Sequence, residues 1–518
     1  MGGGRVFRLR VCGIGVGVAL AAGATATLAT HASASVEARS ASTTISIAIG
    51  SDPSGLDPQA YEDGNALAVY DNIAEPLITT DAVTNHLKPL LATSWKYVNS
   101  KTLRVTLRSG VRFSNGEPFN ADAVVFSLKR LTNPKFATQQ SDFFGTITHA
   151  KKINATTVDV ISSVADATIP QSLSLIMMVP PKYVTQKGAS YFNTHPVGTG
   201  PYVLGSWTRG ASITLKANSR YWGGAPSIAN VKFVIMPEAN VQLNALKTGE
   251  VDLATALSPQ QLPQAPKQLK VAGPEHPMII LNQRSGPFAN RNVRLAANYA
   301  VDRKTIADKI YFGTAKPAMC EPFGLQTLGY NPKLKNYPYN PAKAKQLLAK
   351  SGNPHPTVTF IGESGRWTND LAAEQAVQGY LEAVGFKVKF QSLAFASFLK
   401  QLLPNGNNPK MARPDMLWTS TGDTTGDADQ KLQTFYAPKG AAASVNDPVL
   451  FKLVAKEAAT IDRGKRTAVQ QQALARACQQ ADFIYLVNNQ NIYGASTRLT
   501  WQPRYDEQIL VKAMKAAS

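Results

Sequence analysis

A run of oxygen-bearing side chains from Asp423 to Asp429 is the densest group of cation ligands in the sequence. A calcium loop of the twelve-residue type ends in Glu, and this run lacks that loop. The six histidines are scattered, and neither a His-Glu-x-x-His motif nor a closely spaced Cys pair is present. The sequence therefore predicts no calcium, zinc or nickel site and no cofactor.

Covalent catalysis and phosphate binding find little support in the motifs. A serine hydrolase of the α/β type would carry Gly-x-Ser-x-Gly, which is absent. Gly198-Thr199-Gly200 is glycine-rich, but it lacks the Lys-Ser/Thr ending and the following helix of a P-loop. We therefore predict that the chain is not an enzyme. A Ser-His-Asp set assembled in space stays open as a remote alternative.

The elements between Leu87 and Leu131 form a β-β-α pattern. Apolar and polar residues alternate along the first predicted strand: Leu103, Arg104, Val105, Thr106, Leu107 and Arg108. Val111 and Phe113 predict a second short strand, and Asn115-Gly116 supplies the positive φ angles of a tight turn. Asn120 is a good N-cap. We predict a helix that begins there and buries Val124, Val125, Leu128 and Leu131.

Several landmarks follow one another in a definite order along the chain. They are Leu56-Asp57-Pro58, Glu75-Pro76-Leu77, the segment PVGTGPYVLGSWTRGASITLKANSRYWGG from Pro196 to Gly224, and Gly249-Glu250-Val251-Asp252. Together with the β-β-α unit they resemble the bacterial extracellular solute-binding proteins of family 5. These are the oligopeptide-, dipeptide- and nickel-binding receptors of ATP-binding-cassette importers. The resemblance covers nearly all of the chain after residue 34.

The resemblance implies an α/β, two-lobed fold of the periplasmic-binding-protein kind (type II, large three-domain variant), with mixed sheets and a hinge between the lobes. Domain I is expected in three pieces, 35–86, 198–289 and 483–518, with domain II at 87–197 and domain III at 290–482. Strands and helices alternate from Asn340 to Phe390. This alternation by itself predicts an α/β domain with a partly parallel sheet.

The first 34 residues have the organisation of a secretory signal peptide. Three arginines precede an uncharged apolar run from Val11 to Ala29, and Ala32-Ser33-Ala34 is a small-x-small cleavage signal. We expect cleavage after Ala34, with retention as an N-terminal anchor as the alternative. Cys12 precedes most of the apolar run, which is not where a lipoprotein carries its lipidated cysteine. The chain is thus expected to be exported, periplasmic or extracytoplasmic, and either free or associated with the cell envelope.

Cleavage would remove three of the 54 basic residues and leave 51 against 34 acidic ones, a net charge of +17. Such an excess can indicate nucleic acid or an anionic membrane as partner. The basic residues are, however, spread along the chain, and no nucleic-acid motif is present. We expect a monomer with a basic surface and no nucleic-acid partner. Cys320 and Cys478 are expected either to form a disulfide in an oxidising compartment or to remain buried thiols.

The resemblance places the ligand between the lobes and draws attention to the stretch from Asp415 to Phe435. In peptide-binding relatives a Trp here is followed three residues later by an Asp that pairs with the ligand's α-amino group. Trp418 matches, but the third residue on is Thr421, and Asp423 lies two residues farther. Either Asp423 takes the amine-binding role, or the ligand is not an ordinary peptide. The alternative for Asp423 is a solvated turn with a helix cap.

The remaining ligand candidates each have a structural alternative. Trp418 either stacks on the ligand or fills the core, and Thr419 beside it is a further candidate contact. Arg366 is a candidate partner for a ligand carboxylate, or else a surface arginine. His276, just before the predicted strand at Met278, is a candidate cleft residue or a structural one.

The expected function is the capture of a small solute between closing lobes and its delivery to a membrane permease. A peptide is the expected ligand, because most members of the family bind peptides. Sugars, opines and metal chelates are the alternative solutes. The rivals from other classes are an extracytoplasmic hydrolase and a chaperone-like protein that binds unfolded chains in its cleft.

Overall fold

The computed structural model describes residues 43–517, apart from 62, 137, 141–143, 365, 367, 368, 404–412, 423 and 424. The predicted signal peptide and Asp423 therefore lie outside the described residues.

The strands are numbered in chain order. They are β1 Thr44–Ile49, β2 Ile78–Thr80, β3 Leu87–Pro89, β4 Ala92–Asn99, β5 Thr102–Leu107, β6 Ile147–Asn154, β7 Thr157–Ser162, β8 Tyr202–Thr208, β9 Ser212–Ala217, β10 Asn230–Ile235, β11 Leu253–Ala254, β12 Lys267–Ala272, β13 His276–Leu281, β14 Ala315–Pro317, β15 Thr357–Ser364, β16 Lys387–Ala394, β17 Met416–Thr421, β18 Phe483–Tyr485, β19 Val487–Ala495, β20 Leu499–Thr500 and β21 Lys515–Ala516.

The α-helices are numbered in the same way. They are α1 Gly64–Tyr70, α2 Ala121–Leu131, α3 Ile169–Leu175, α4 Pro181–Lys187, α5 Ala189–Phe192, α6 Ala239–Thr248, α7 Arg291–Ala300, α8 Arg303–Thr305, α9 Pro341–Lys350, α10 Asp370–Val384, α11 Phe395–Leu402, α12 Asp429–Lys431, α13 Pro448–Ala458 and α14 Arg463–Gln480. Helices α8 and α12 continue as π-helical turns, Ile306–Ile310 and Leu432–Tyr436.

The larger sheet of the first lobe brings distant parts of the chain together. Its strand order is β12-β19-β11-β1-β10-β9-β8, and β14 pairs with the start of β19. Strand β1 runs parallel to β10 and β11, whereas β9, β8 and β19 add antiparallel pairs. One core packs Ile45 and Phe233 of this sheet against Trp501 and Met514 from the C-terminal segment. The sheet is therefore mixed.

The β-β-α unit forms the second sheet of this lobe, in the order β4-β5-β7-β6. Leu103, Val105 and Leu107 point into its core. The side chain of Asn120 accepts hydrogen bonds from the backbone N–H groups of the first turn of α2, which confirms the predicted cap. The predicted strand at Val111 and Phe113 is wrong: both side chains are buried, but only a single bridge joins Arg112 to Pro118.

The second lobe is built on the sheet β16-β15-β17-β13-β18. Strand β15 is parallel to β16 and β17, whereas β13 is antiparallel to β17 and β18. Helices α7, α9 and α10 cover one face of the sheet, and α11, α13 and α14 cover the other. The expected α/β domain with a partly parallel sheet is confirmed.

Two strands that lie outside the range expected for domain III, 290–482, belong to the sheet of the second lobe. Strand β13 pairs with β17, and β18 pairs with β13, so both belong to the sheet of the second lobe. The chain enters this lobe through the connection Gly273–Glu275 and leaves it at Leu486. Backbone hydrogen bonds join the two connections, from Gly273 N–H to Asn489 O and from Asn489 N–H to Glu275 O. Two adjacent segments therefore link the lobes.

Two of the sequence landmarks, Glu75-Pro76-Leu77 and the segment from Pro196 to Gly224, meet at the buried carboxylate of Glu75. It accepts hydrogen bonds from Thr199 Oγ1 at 2.9 Å, Tyr221 Oη at 2.7 Å and Trp222 Nε1 at 2.8 Å. Gly198 lies against the chain before Glu75, where an added Cβ would come within 2.1 Å of the carbonyl oxygen of Ile73. The Gly198-Thr199-Gly200 motif therefore serves a close backbone approach, which only glycine permits.

Cys320 and Cys478 form a disulfide across 158 residues of sequence. It joins the segment after β14 to the last helix of the second lobe. No helix in the part of the chain that the structure describes is long and apolar enough to cross a membrane.

Candidate ligand-binding site

Two cavities lie between the lobes. The larger has a volume of about 810 Å³. The first lobe contributes to its wall Ile49, Gly64, Asn65, Leu67, Ala68, Tyr70, Thr255–Pro259, Asn489–Tyr493 and Asp506–Ile509, and the second lobe contributes Tyr311 and Thr314. Glu275, in the connection between the lobes, completes one side. We call this space the acidic cavity.

The charged side chains of the acidic cavity are all carboxylates. Glu275, Asp506 and Glu507 line it, and no Lys, Arg or His among the described residues does. Arg504, outside the lining, donates from Nε to Asp506 at 2.8 Å, and Thr80 Oγ1 donates to the other oxygen at 2.7 Å. The negative charge of Asp506 is therefore compensated by Arg504. The carboxylate of Glu507 has no hydrogen bond or ion pair within the described chain.

Crowding of these carboxylates affects their protonation. The Glu507 side chain is exposed to the cavity, and desolvation by the surrounding protein, then Glu275 and Asp506, raise its pKa. Burial and then Asp506 also raise the pKa of Asp71, at the C-terminal end of α1. A cation that entered this space would favour the charged form of each carboxylate.

The second cavity, of about 480 Å³, lies beside the first. The first lobe lines it with Asn85–Leu87, Trp95–Tyr97, Ala167, Pro170 and Gln171, and the second lobe with Leu325–Tyr330, Thr425, Gly426, Ile461, Arg463, Arg466 and Thr467. Its basic side chains are His86, Lys96, Arg463 and Arg466, and no described Asp or Glu lines it. We call this space the basic cavity.

Arg466 differs from the other bases because its charge is already balanced inside the lobe. Its Nη1 and Nη2 donate to the two oxygens of Asp427 at 2.7 and 2.8 Å, and its Nε donates to Glu457 at 3.2 Å. Burial, and then Asp429, raise the pKa of Glu457 to about 9. Lys96 and Arg463 have exposed side chains, and no described carboxylate pairs with either of them. These two supply the free positive charge of the basic cavity.

The two cavities meet at Asn85, which lines both. Gly426 of the second lobe lies directly against this side chain, since a Cβ there would be 2.3 Å from Asn85 Nδ2. Nearby, Gln171 Nε2 of the first lobe donates to Asp427 Oδ2 of the second at 3.2 Å. The lobes therefore touch each other between the two cavities.

The candidates on β17 lie in the core rather than on a cavity wall. Trp418 is fully buried and packs in the same core as Ile279 and Phe360. Thr419 is fully buried as well, and its hydroxyl has no hydrogen-bond partner in the described structure. Thr421 ends the strand opposite His276, and Asp423 lies outside the described residues. Thr425, the next described residue, lines the basic cavity.

His276 and Arg366 lie in different surroundings. His276 is buried, its Nδ1 is 2.8 Å from Asn488 Oδ1, and its Nε2 has no described partner. Burial and then Lys431 hold its pKa well below the ordinary value, so it is neutral at pH 7. Arg366 is exposed, and its guanidinium lies 4.4 Å from the ring centre of Phe395. Neither lines the two cavities.

Sequence reasoning missed the charged residues of both cavities. Glu275 lies in the connection between β12 and β13, and Glu507 lies between β20 and β21. Lys96 and Arg463 come from different lobes. Lys96 lies on strand β4, which pairs with β5, and Arg463 begins α14 after Asp462, a typical N-cap. The secondary structure at Lys96 and Arg463 could be predicted from the sequence. That the two side chains line one cavity depends on how the lobes meet.

The fold and the length of the chain agree with known solute receptors. "Glutathione-binding protein GsiB" of Pectobacterium atrosepticum is 27% identical over 468 residues, covering 88% of this chain and 90% of that protein. The structure of HbpA2 from Haemophilus parasuis matches with a TM-score of 0.82 at 23% identity, covering 92% of this chain and all of that one. DppA from Helicobacter pylori, solved in complex with the peptide STSA, matches with a TM-score of 0.71 at 22% identity and covers 92% of this chain and 98% of that one.

These likenesses confirm the expected α/β, two-lobed architecture. The family described as "Bacterial extracellular solute-binding proteins, family 5 Middle" matches residues 86–443, which is more than half of the sequence. The match includes the β-β-α unit and most of the second lobe. The chain belongs to the bacterial extracellular solute-binding proteins of family 5.

Proposed function

We propose that this chain is an exported receptor that captures a short peptide between its lobes and passes it to the membrane permease of an ATP-binding-cassette importer. The observation that carries the proposal is the pair of adjoining cavities between the lobes, of about 810 and 480 Å³. Sites for small molecules commonly have volumes of about 300 to 1,000 Å³. The space thus suits a solute of a few residues better than a long unfolded segment.

The names of the related proteins support a peptide as the ligand class. One relative is named as a glutathione-binding protein, and one similar structure holds the peptide STSA. Glutathione is itself a tripeptide with an unusual first linkage. The polar lining of both cavities, which includes Asn85, Gln171 and Asn489, provides partners for peptide N–H and C=O groups.

Capture requires the lobes to move about the segments that join them. The connection Gly273–Glu275 and the segment Leu486–Asn489 run side by side, so a rotation there needs few backbone changes. A solute that contacts both walls binds the closed form better than the open form and shifts the equilibrium towards closure. The receptor acts as a monomer, without covalent chemistry and without nucleic acid. The permease recognises the surface of the closed receptor.

A non-peptide solute is the alternative within the same role. The position where peptide-binding relatives carry the amine-binding Asp is Thr421 here, and this departure favours a ligand other than an ordinary peptide. Sugars, opines and metal chelates are the classes to compare.

A thermal-shift screen of the purified chain against short peptides, sugars, opines and metal chelates tests the proposal. A ligand that binds only the folded state raises its free energy of unfolding by about 2.7 kcal/mol at one hundred times Kd. We expect peptides of two to five residues to raise the Tm and the other classes to leave it unchanged. Stabilisation by another class, with no response to any peptide, would refute the peptide assignment and keep the receptor role.

A further inference from the structure

Five basic side chains of the first lobe form a surface strip outside both cavities. They are Arg108, Arg112, Arg220, Lys182 and Lys187, and we call them the basic strip. None of them lines the acidic or the basic cavity. No described carboxylate forms an ion pair with any of them. Their positive charge is therefore available to a partner outside the chain.

The three arginines of the strip lie close together. The guanidinium of Arg108 lies over the ring of Trp222, 4.5 Å from its centre, and Arg220 belongs to the same turn as Trp222. Arg112 Nη1 donates to the carbonyl oxygen of Gly116 at 2.9 Å. An added Cβ on Gly116 would lie 3.7 Å from Arg220 Nη1, so Arg112 and Arg220 both approach this turn.

Glu117 connects the arginines to the two lysines. Its carboxylate accepts hydrogen bonds from the backbone N–H groups of Lys182 at 3.0 Å and Tyr183 at 2.9 Å, and from Asn115 Nδ2 at 2.8 Å. These bonds fix the start of α4 beside the Gly116 turn, and Lys187 ends this helix. The five bases of the strip therefore contact a single surface acid, and the strip stays positive.

Aromatic rings lie beside the cations at both ends of the strip. Trp222 lies at one end, and at the other the rings of Tyr191 and His195 stack with centres 4.1 Å apart and planes inclined by 7°. Tyr191 is 41% exposed, and Lys187 Nζ lies 5.4 Å from the centre of its ring. Tyr183 Oη donates to the backbone oxygen of His195 at 3.2 Å. The stacked pair is thus held in place at the surface, next to a cation.

Rings spaced among cations favour one class of partner. Protein interfaces are depleted of charged residues at their core, whereas the rings of Trp222 and Tyr191 each have a cation beside them. A chain of sugars with acidic groups complements both features. The apolar faces of its pyranose rings pack against aromatic rings, and its acids are attracted to the cations.

We propose that the basic strip binds an anionic polysaccharide, with Tyr191 and Trp222 as supports for sugar rings and the five cations as partners for its acidic groups. An exported receptor bound in this way stays at the cell envelope, while the space between its lobes remains open to the solute. This binding does not depend on the class of solute that the receptor captures.

Calorimetric titration of the purified chain with three oligomers tests the proposal. The probes are a galacturonic acid decamer, a glutamic acid decamer without sugar rings, and a neutral glucose decamer. The titrations are made at low ionic strength, because salt screens exposed charges. We expect the galacturonic acid decamer to bind, and the other two to bind at least about tenfold more weakly, since each lacks one of the two complementary features.

A pair of double variants tests the role of the charges. Lys182→Met with Lys187→Met should raise the Kd for the galacturonic acid decamer by about fivefold, as expected from the loss of two exposed charge contacts. Lys345→Met with Lys350→Met removes the same net charge from exposed positions in α9 and should change Kd by less than about twofold. Arg112→Met with Arg220→Met repeats the test if urea denaturation shows that the first pair is unfolded.

Substitutions of tyrosine test the role of the rings. Tyr191→Ala should raise the Kd by about fivefold, a loss typical of one stacked ring, whereas Tyr191→Phe keeps the ring and should bind like the unmodified chain. Tyr339→Ala is the matched control, because Tyr339 is 49% exposed and lies in the second lobe. It should leave the Kd unchanged.

Four results would overturn the proposal. The first is no binding of the galacturonic acid decamer at low ionic strength. The second is equal binding of the glutamic acid decamer, which would show that charge alone is recognised. The third is an equal loss in the strip variants and in their controls. The fourth is tighter binding to phosphatidylglycerol vesicles with the same dependence on Lys182 and Lys187, which would assign the strip to a membrane surface.

Discussion

Arg466 shows how single residues hold the second lobe together beneath the basic cavity. The side chain is 2% exposed, and its guanidinium donates to Asp427 and Glu457, which are both fully buried. Gln470 and Gln171 donate to the same Asp427, so the network reaches across to the first lobe. A buried charge of this kind is tolerated only because every neighbour compensates it.

Arg466→Met should destabilise the chain by about 3 to 5 kcal/mol, because it leaves the charge of Asp427 buried without its partner. Urea denaturation measures the free energy of unfolding. Arg104→Met is the matched control, since Arg104 makes a two-bond pair with Asp159 at the surface. A loss for Arg466→Met no greater than that for Arg104→Met would contradict the role given to the network.

Glu321 predicts a dependence of stability on pH. Its carboxylate is fully buried and accepts from the N–H of Asn331, and burial raises its pKa to about 9. The folded state therefore binds more protons than the unfolded state between about pH 5 and 9. Its contribution to stability is present at the acidic end and is lost as the pH rises through 9.

We expect Glu321→Gln to flatten the fall in stability between pH 6 and 9, by up to about 1.4 kcal/mol per pH unit. Gln keeps an acceptor for Asn331 and removes the titration. Urea denaturation at several pH values measures the slope, and Glu250→Gln should leave it unchanged because that side chain is exposed. Parallel curves for Glu321→Gln and the unmodified chain would show that Glu321 does not titrate in this range.

At the residue scale the sequence predicted less of the site than of the fold. Trp418 and Thr419 were proposed from a motif, and they lie on a central strand whose side chains are buried. Glu275 and Glu507 carry no motif. Pairing of the connection after β12 with Asn489 of β19 places Glu275. Asn491 of β19 donates to the carbonyl oxygens of Arg504 and Tyr505, just before Glu507. A charged residue outside any sequence motif can be assigned to a cavity only when the tertiary structure shows which distant segments surround it.

Elements with local signals were predicted well. Strand β5 alternates buried and outward residues, and α2 begins after its capping Asn120. The residues from Ala66 to Leu77 favour a helix over this whole stretch, but α1 ends at Tyr70. Backbone groups of Asn72 and Ile73 bond to Tyr202 and Gly200, so tertiary pairing competes with continuation of the helix. Local patterns could not show that competition.

The meeting of the Gly198 segment with Ile73 gives an element-scale prediction. Gly198→Ala places a Cβ 2.1 Å from the Ile73 carbonyl oxygen and 2.7 Å from Ala74 Cα, so backbone must shift. We expect a loss of about 1 to 3 kcal/mol in the free energy of unfolding. Gly379→Ala, exposed inside α10 with no atom near the new Cβ, should instead raise stability by up to about 1 kcal/mol. Equal effects of the two changes would contradict the close approach.

At the scale of the whole molecule, the two-lobed plan followed from landmarks spread over the chain, and the family match supports it. The limits between the domains stay a prediction. Strands β13 and β18 pair inside the second lobe although the expected domain III begins after one and ends before the other. A sequence motif identifies a segment of the chain. The sheet that a strand near the inter-lobe connections joins depends on the strands with which it pairs.

The central claim is that the space between the lobes is the site of solute capture. A crystal structure of the chain with the peptide that raises its Tm most tests this directly. We predict that the peptide lies between the lobes and spans the acidic and basic cavities beside Asn85. A peptide bound on an outer surface, with both cavities unoccupied, would contradict the account.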